Sequence, residues 1–160
     1  MNFATSSSVT CTINAGVLKN VEKLRLCKKS DGMKAYIAKI DAKALEVVDN
    51  EESATTTDKP AADEQFKDTT LEDLVDELPD NAPRYLVLSY RYEHQDKRVS
   101  YPLVLVYYCP GTARPADRML YASTQQHFAT MAKLDKVYLL EDKDDFTQKW
   151  LDERVAKFSR

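Results

Sequence analysis

Glycine is scarce in this chain: three in 160 residues, at Gly16, Gly32 and Gly111, all far apart. A Walker loop or a dinucleotide-binding turn needs glycines clustered within about six residues, so neither motif is present. Cysteine is equally sparse. Cys11, Cys27 and Cys109 are odd in number, widely spaced and free of any C-x-x-C, which reads as buried or half-buried thiols in a reducing compartment. The two histidines, His94 and His127, lie in no nucleophile motif, and no His/Cys group has zinc-ligand spacing. No apolar run approaches the roughly 20 residues of a membrane span. Residues 1–12 show neither a basic n-region nor an apolar h-region, so no secretion signal is expected. These absences predict a cytoplasmic chain without membrane span, metal or cofactor, and they leave catalysis without a motif.

What is present suits one domain with a substantial core. The mass is 18.3 kDa, 43% of residues are hydrophobic and 31% are charged, a balance unlike disordered, collagenous or coiled-coil chains. Charge is unevenly spread. Residues 1–40 carry seven basic and two acidic side chains, residues 41–80 three and 14, and residues 81–160 13 and 10. The acidic middle argues against nucleic acid as partner, while the basic ends can form a local patch that the net charge of -3 hides. Asn50–Asp68 (NEESATTTDKPAADEQFKD) is polar and aperiodic, the composition of a mobile insertion. Residues 1–12 are expected to be a flexible tail, with Ser6, Ser7 and Ser8 in a row.

Periodicity predicts the elements. Ile13–Lys29 is an amphipathic helix with Val17, Leu18, Val21, Leu24 and Leu26 as its apolar pattern. Lys34–Ile40 and Ala44–Asp49 form a hairpin, and Thr70 caps a short helix ending at Pro79. Tyr85–Tyr92 and Val99–Tyr108 are nearly continuous apolar runs, so both faces of their sheet are covered. The charged link Glu93–Arg98 is a protruding hairpin tip. Pro115 opens a long helix to about Lys133 with Leu120, Tyr121, Phe128 and Met131 on its core face. Lys136–Leu140 is a strand, and Asp144 and Asp145 open the last helix. The order implies an α+β domain: a central five-stranded mixed sheet with helices on both faces.

Three blocks carry a family resemblance: VEKLRLCKK at Val21–Lys29, the tyrosine-rich hairpin SYRYEHQDKRVSYPL within Tyr85–Tyr108, and RPADRMLYAS at Arg114–Ser123. Over roughly residues 9–158 the chain resembles the actin-depolymerising-factor homology (ADF/cofilin) superfamily, and within it the glia maturation factor family. The resemblance implies the ADF-homology fold and a monomeric binding protein, not an enzyme. It implies binding to the actin-related protein 2/3 complex, inhibition of branched actin nucleation and debranching of filaments. It also implies weak or absent binding to free actin, and residence at cortical actin patches in the cytoplasm and also the nucleus. The alternative is a cofilin-like protein that binds actin directly and severs it. Cofilins typically carry two basic residues before the Met-x-Tyr-Ala-Ser element, whereas here Arg118 is accompanied by Ala116. One lost charge-assisted contact is worth on the order of 1–3 kcal/mol.

The resemblance nominates two surfaces. The first comprises Lys23, Arg25, Arg118, Met119, Ser123 and Gln126. By pattern alone, Lys23 and Arg25 read as a solvated helix face and Met119 as core. The second comprises the tip residues Glu93, His94, Gln95, Asp96, Lys97 and Arg98, together with Asp142 and Asp144. By pattern alone the tip reads as a soluble turn guarding the strand pair. Lys97 stands where vertebrate relatives have glycine. The three N-terminal serines are candidate phosphorylation sites beside the basic helix.

Overall fold

Strands β4 (Arg84–Ser89) and β7 (Leu103–Tyr108) are the centre of the molecule, and their side chains alternate between two cores. Tyr85, Val87, Leu105 and Tyr107 enter one; Leu86, Leu88, Val104, Val106 and Tyr108 enter the other. A sheet with two apolar faces must be covered twice. In the computed structural model, which describes residues 10–27, 32–50 and 68–158, α1 (Ala15–Leu26) and α3 (Pro115–Met131) cover the first face. The second is covered by α2 (Leu71–Glu77) and α4 (Gln148–Phe158).

The sheet order is β1-β3-β2-β4-β7-β8, where β1 is Thr12–Ile13, β2 Lys34–Asp41, β3 Glu46–Asp49 and β8 Val137–Leu140. Pairing is antiparallel except at the two outermost pairs, β1 with β3 and β7 with β8. The sheet therefore has six strands where five were expected. The extra one is β1, too short to show a period-2 pattern. It forms because Thr12 and Asn14 N–H donate to Leu45 and Val47 carbonyls, each at 3.0 Å. The expected tail over residues 1–12 consequently ends sooner: Cys11 is buried, and its N–H donates to the Oγ1 of buried Thr124 at 3.0 Å. Ser6, Ser7 and Ser8, and residues 51–67 of the expected insertion, lie outside the described residues. At the insertion's far end Thr69 N–H donates to Met33 O at 2.8 Å.

Other differences have local causes. α1 begins at Ala15, where the Asn14 side chain accepts from Gly16 N–H at 2.7 Å, because Ile13 is already committed to β1. Leu26, expected in the core, is 75% exposed. It stands two residues, or about 200°, from fully buried Leu24 on the helix. Met131 is also exposed, because α3 ends there and Ala132 and Leu134 close the core instead. The long run Val99–Tyr108 is two strands, β6 (Val99–Ser100) and β7. Pro102 between them has no N–H, although its carbonyl accepts from Tyr90 at 3.1 Å. Asp144 and Asp145 do not open the last α-helix; they lie in a 3-10 turn, Lys143–Asp145. The α-helix is entered through Thr147, whose Oγ1 accepts from Trp150 N–H at 3.2 Å.

Tyr85 joins the first core to the sheet. Its ring lies 5.2 Å from those of Tyr121 and Phe128 and 5.8 Å from that of Tyr107. Its hydroxyl donates to Tyr121 O, and the Tyr121 hydroxyl accepts from Ile40 N–H at 2.8 Å. These bonds hold α3 at one height and rotation over the sheet, so its outer face is a rigid platform.

Candidate functional site

The exposed face of α3 follows from its start and its pattern. Pro115 occupies the first turn, where its missing N–H is harmless, and Asp117 suits the helix dipole while pairing with Arg114 at 3.0 Å. Tyr121, Thr124 and Phe128 face inward, which turns Arg118, Met119 and Gln126 outward. Met119 is 56% exposed, so the alternative of core packing does not hold for it. Arg118 makes no ion pair among the described residues. Met119, Ser123 and Gln126 follow one another at i, i+4 and i+7. Ser123 is half-buried, with its hydroxyl donating to Leu120 O at 3.0 Å. Lys23 and Arg25 come from α1, which lies on the same side of the sheet as α3.

Arg25 differs from the other cations. Its Nη2 donates to Ala132 O at 2.7 Å and to Lys133 O at 3.2 Å, and its Nη1 pairs with Glu22. It therefore caps the C-terminal end of α3 and ties α1 to it. Arg25, nominated for the first surface, is thus engaged within the molecule as an anchor between the two helices. Arg118 lies near the other end of α3, about 20 Å away along the axis at 1.5 Å per residue. The two arginines share a side of the molecule without sharing a contact patch.

The hairpin is a two-stranded ribbon of its own. In it β5 (Tyr92–Glu93) pairs with β6, Tyr92 opposite Ser100 and Glu93 opposite Val99. Its tip is bound up internally: His94 N–H donates to Arg98 O at 2.8 Å, and Lys97 N–H to His94 O at 2.9 Å. The Asp96 carboxylate accepts from Arg98 N–H at 3.1 Å and from its Nε at 2.7 Å. The backbone N–H first, and the guanidinium after it, hold the Asp96 carboxyl below the usual range. Lys97 sits at φ 69°, the left-handed region where glycine is at ease. His94 Nε2 is 2.9 Å from Ser100 Oγ, and its ring stands edge-on to Tyr92 at 4.8 Å. Glu93, Gln95, Asp96, Lys97 and Arg98 are exposed.

Residues 10–156 match the model of the cofilin/tropomyosin-type actin-binding protein family. The human glia maturation factor beta is 32% identical over 152 residues, covering 95% of this chain and 97% of that protein. The chain belongs to the glia maturation factor family. The Drosophila melanogaster glia maturation factor is 30% identical over 146 residues, 91% of this chain and 96% of that one. The solution structure of the Caenorhabditis elegans glia maturation factor superposes with a TM-score of 0.72 at 31% identity, covering 94% and 99% of the two chains. The Streptomyces griseoflavus cofilin shares the fold, with a TM-score of 0.71 at 15% identity.

Within this glia maturation factor fold the nominated second surface divides. The hairpin leaves the sheet where Ser89 pairs with Leu103. Asp142 and Asp144 follow Leu140, which pairs with Tyr108, itself opposite Arg84 at the other end of β4. Those ends are about 17 Å apart at roughly 3.4 Å per residue. β8 runs parallel to β7, so it must emerge where β7 ends and the hairpin does not. Asp142 is there a local cap, accepting from Asp144 N–H at 2.9 Å. What does reach the hairpin base is α4: the Tyr90 hydroxyl donates to Asp152 and accepts from Gln148. Sequence reading missed all three residues; its only signal was the i, i+4 spacing of Gln148 and Asp152. Among the described residues no group of three His, Cys, Asp or Glu side chains is placed to hold a metal, and no helix is long and apolar enough to cross a membrane.

Proposed function

We propose that this chain is a monomeric regulator that binds the actin-related protein 2/3 complex, inhibits branched actin nucleation and dissociates filament branches. The supporting observation is the exposed Arg118–Met119 pair on a helix locked to the sheet, with Lys23 on the neighbouring helix. A helix face with a cation and an adaptable thioether suits an acidic, partly apolar groove. Ala116 is exposed in the first turn of the same helix, at the position where cofilins carry a second basic residue. A partner meets no charge there, which lowers affinity for free actin relative to cofilin. The hairpin tip provides a second contact on a neighbouring subunit at the junction. A protein can release a junction only by binding its parted state better than its joined state, and two rigid faces on two subunits meet that condition. The protein acts in the cytoplasm at cortical actin patches, with a nuclear pool.

The test compares Arg118→Ala with Arg98→Ala. Arg118→Ala lowers affinity for the complex about tenfold, the loss of one charge-assisted contact. Arg98→Ala leaves affinity nearly intact and lengthens branch lifetimes on preformed networks. Unchanged affinity in Arg118→Ala overturns the first surface. Strong co-sedimentation with filamentous actin alone assigns the chain to the cofilin-like class instead.

A further inference from the structure

Between the hairpin and the helical layer lies a closed polar ring that the binding surfaces do not use. Tyr90 is buried, and it is the last residue of the β4 line to bond across to the β7 side, through Pro102 O. Beyond it the chain leaves the main sheet and forms the ribbon. Its hydroxyl donates to the Asp152 carboxylate and accepts from Gln148 Nε2, which also donates to Asp152 at 3.3 Å. Burial, and after it the hydrogen bond to Asp152, holds the Tyr90 hydroxyl above the ordinary tyrosine range, so it remains a donor at neutral pH. From this ring a continuous series of contacts runs out to the tip. The Tyr90 ring lies 6.5 Å from Tyr92, Tyr92 meets His94 edge-on, and His94 reaches Ser100 across the ribbon.

A two-stranded ribbon has marginal stability of its own. Tyr92 of the ribbon packs against the second core, and the base beneath it is held from α4. We propose that Tyr90, Gln148 and Asp152 form a latch that aims the hairpin, so that breaking it uncouples branch release from complex binding. These are positioning residues: none is part of either docking face. The proposal rests on the debranching role given above for the tip.

The test uses the full chain with Asp152→Ala, Tyr90→Phe and the conservative Asp152→Asn, which can still accept from the tyrosine. Amide exchange of residues 93–99, complex affinity and branch lifetime are measured on each. Asp152→Ala and Tyr90→Phe speed exchange of the ribbon amides about tenfold, the loss of one charge-assisted hydrogen bond. They lengthen branch lifetimes severalfold and leave affinity within about twofold, while Asp152→Asn restores most of both effects. Ribbon exchange that stays at the wild-type rate in both disruptive variants overturns the latch. Faster exchange with unchanged branch lifetimes overturns its coupling to release. A wild-type protein that does not debranch overturns the function proposed above and with it the coupling, while the exchange data still decide the latch.

Discussion

Arg25 is the residue whose role the structure changes most, and its removal is a sharp test. Its guanidinium donates to two carbonyls at the end of α3, 2.7 and 3.2 Å away, and pairs with Glu22. Hydrogen bonds from a charged group contribute about 1.5–3 kcal/mol, and a cation at a helix C-terminus adds about 0.3–1 kcal/mol. The side chain is 29% exposed, so solvent screening places the sum near the low end, about 2 kcal/mol. Arg25→Ala in a 160-residue chain therefore lowers the melting temperature by roughly 4–8 °C. Arg25→Lys, which keeps the charge and can reach one carbonyl, recovers about half. Arg118→Ala removes a cation with no ion-pair partner among the described residues and moves the midpoint by less than about 2 °C. Thermal unfolding followed by circular dichroism separates the three. Equal midpoints for Arg25→Ala and Arg118→Ala would refute the anchor. The same numbers bear on binding assays: a Lys23→Ala, Arg25→Ala double variant loses α1–α3 docking as well as charge, so only Lys23→Ala and Arg118→Ala report on the face itself.

Three further outcomes are expected. Thr124→Val leaves Cys11 N–H buried without its acceptor, costing about 1–3 kcal/mol in urea unfolding; an unchanged midpoint would mean the N-terminal segment does not dock there. Lys97→Gly relieves a left-handed φ of 69° and, after the added freedom of the unfolded chain, stabilises the protein by about 0.5 kcal/mol or less; a clear loss of stability would contradict the turn geometry. Tyr85, Tyr90, Tyr107, Tyr108, Tyr121 and Tyr138 all have hydroxyls pushed upward chiefly by burial. Their unfolded value is near 10, so the folded chain holds protons the unfolded chain releases. Stability is full below about pH 10 and falls as pH rises beyond it. Absorbance titration should show these six ionising only together with unfolding; smooth ionisation before unfolding would refute their burial.

How much was legible differs element by element. The doubly apolar runs of β4 and β7 demanded a sheet covered on both faces, because side chains that alternate across a strand cannot all be buried by one layer. Pro115, the Thr70 cap and the helical spacing of Tyr121 and Phe128 located helices from local rules alone. The three sequence blocks were enough to name the family and nominate its surfaces. Other features depended on pairings distant in sequence. β1 exists only because Leu45 and Val47 offer carbonyls to Thr12 and Asn14. Arg25 reads as one more cation of a basic helix until Ala132 and Lys133, more than a hundred residues away, present their carbonyls to it. Asp142 was parted from the hairpin by the direction of β8, and Asp152 was brought to Tyr90 by the packing of α4. Periodicity records which face of an element is apolar. Which polar groups meet across the core is settled only when the elements pack, since hydrogen bonds depend on fractions of an ångström that no spacing along the chain encodes.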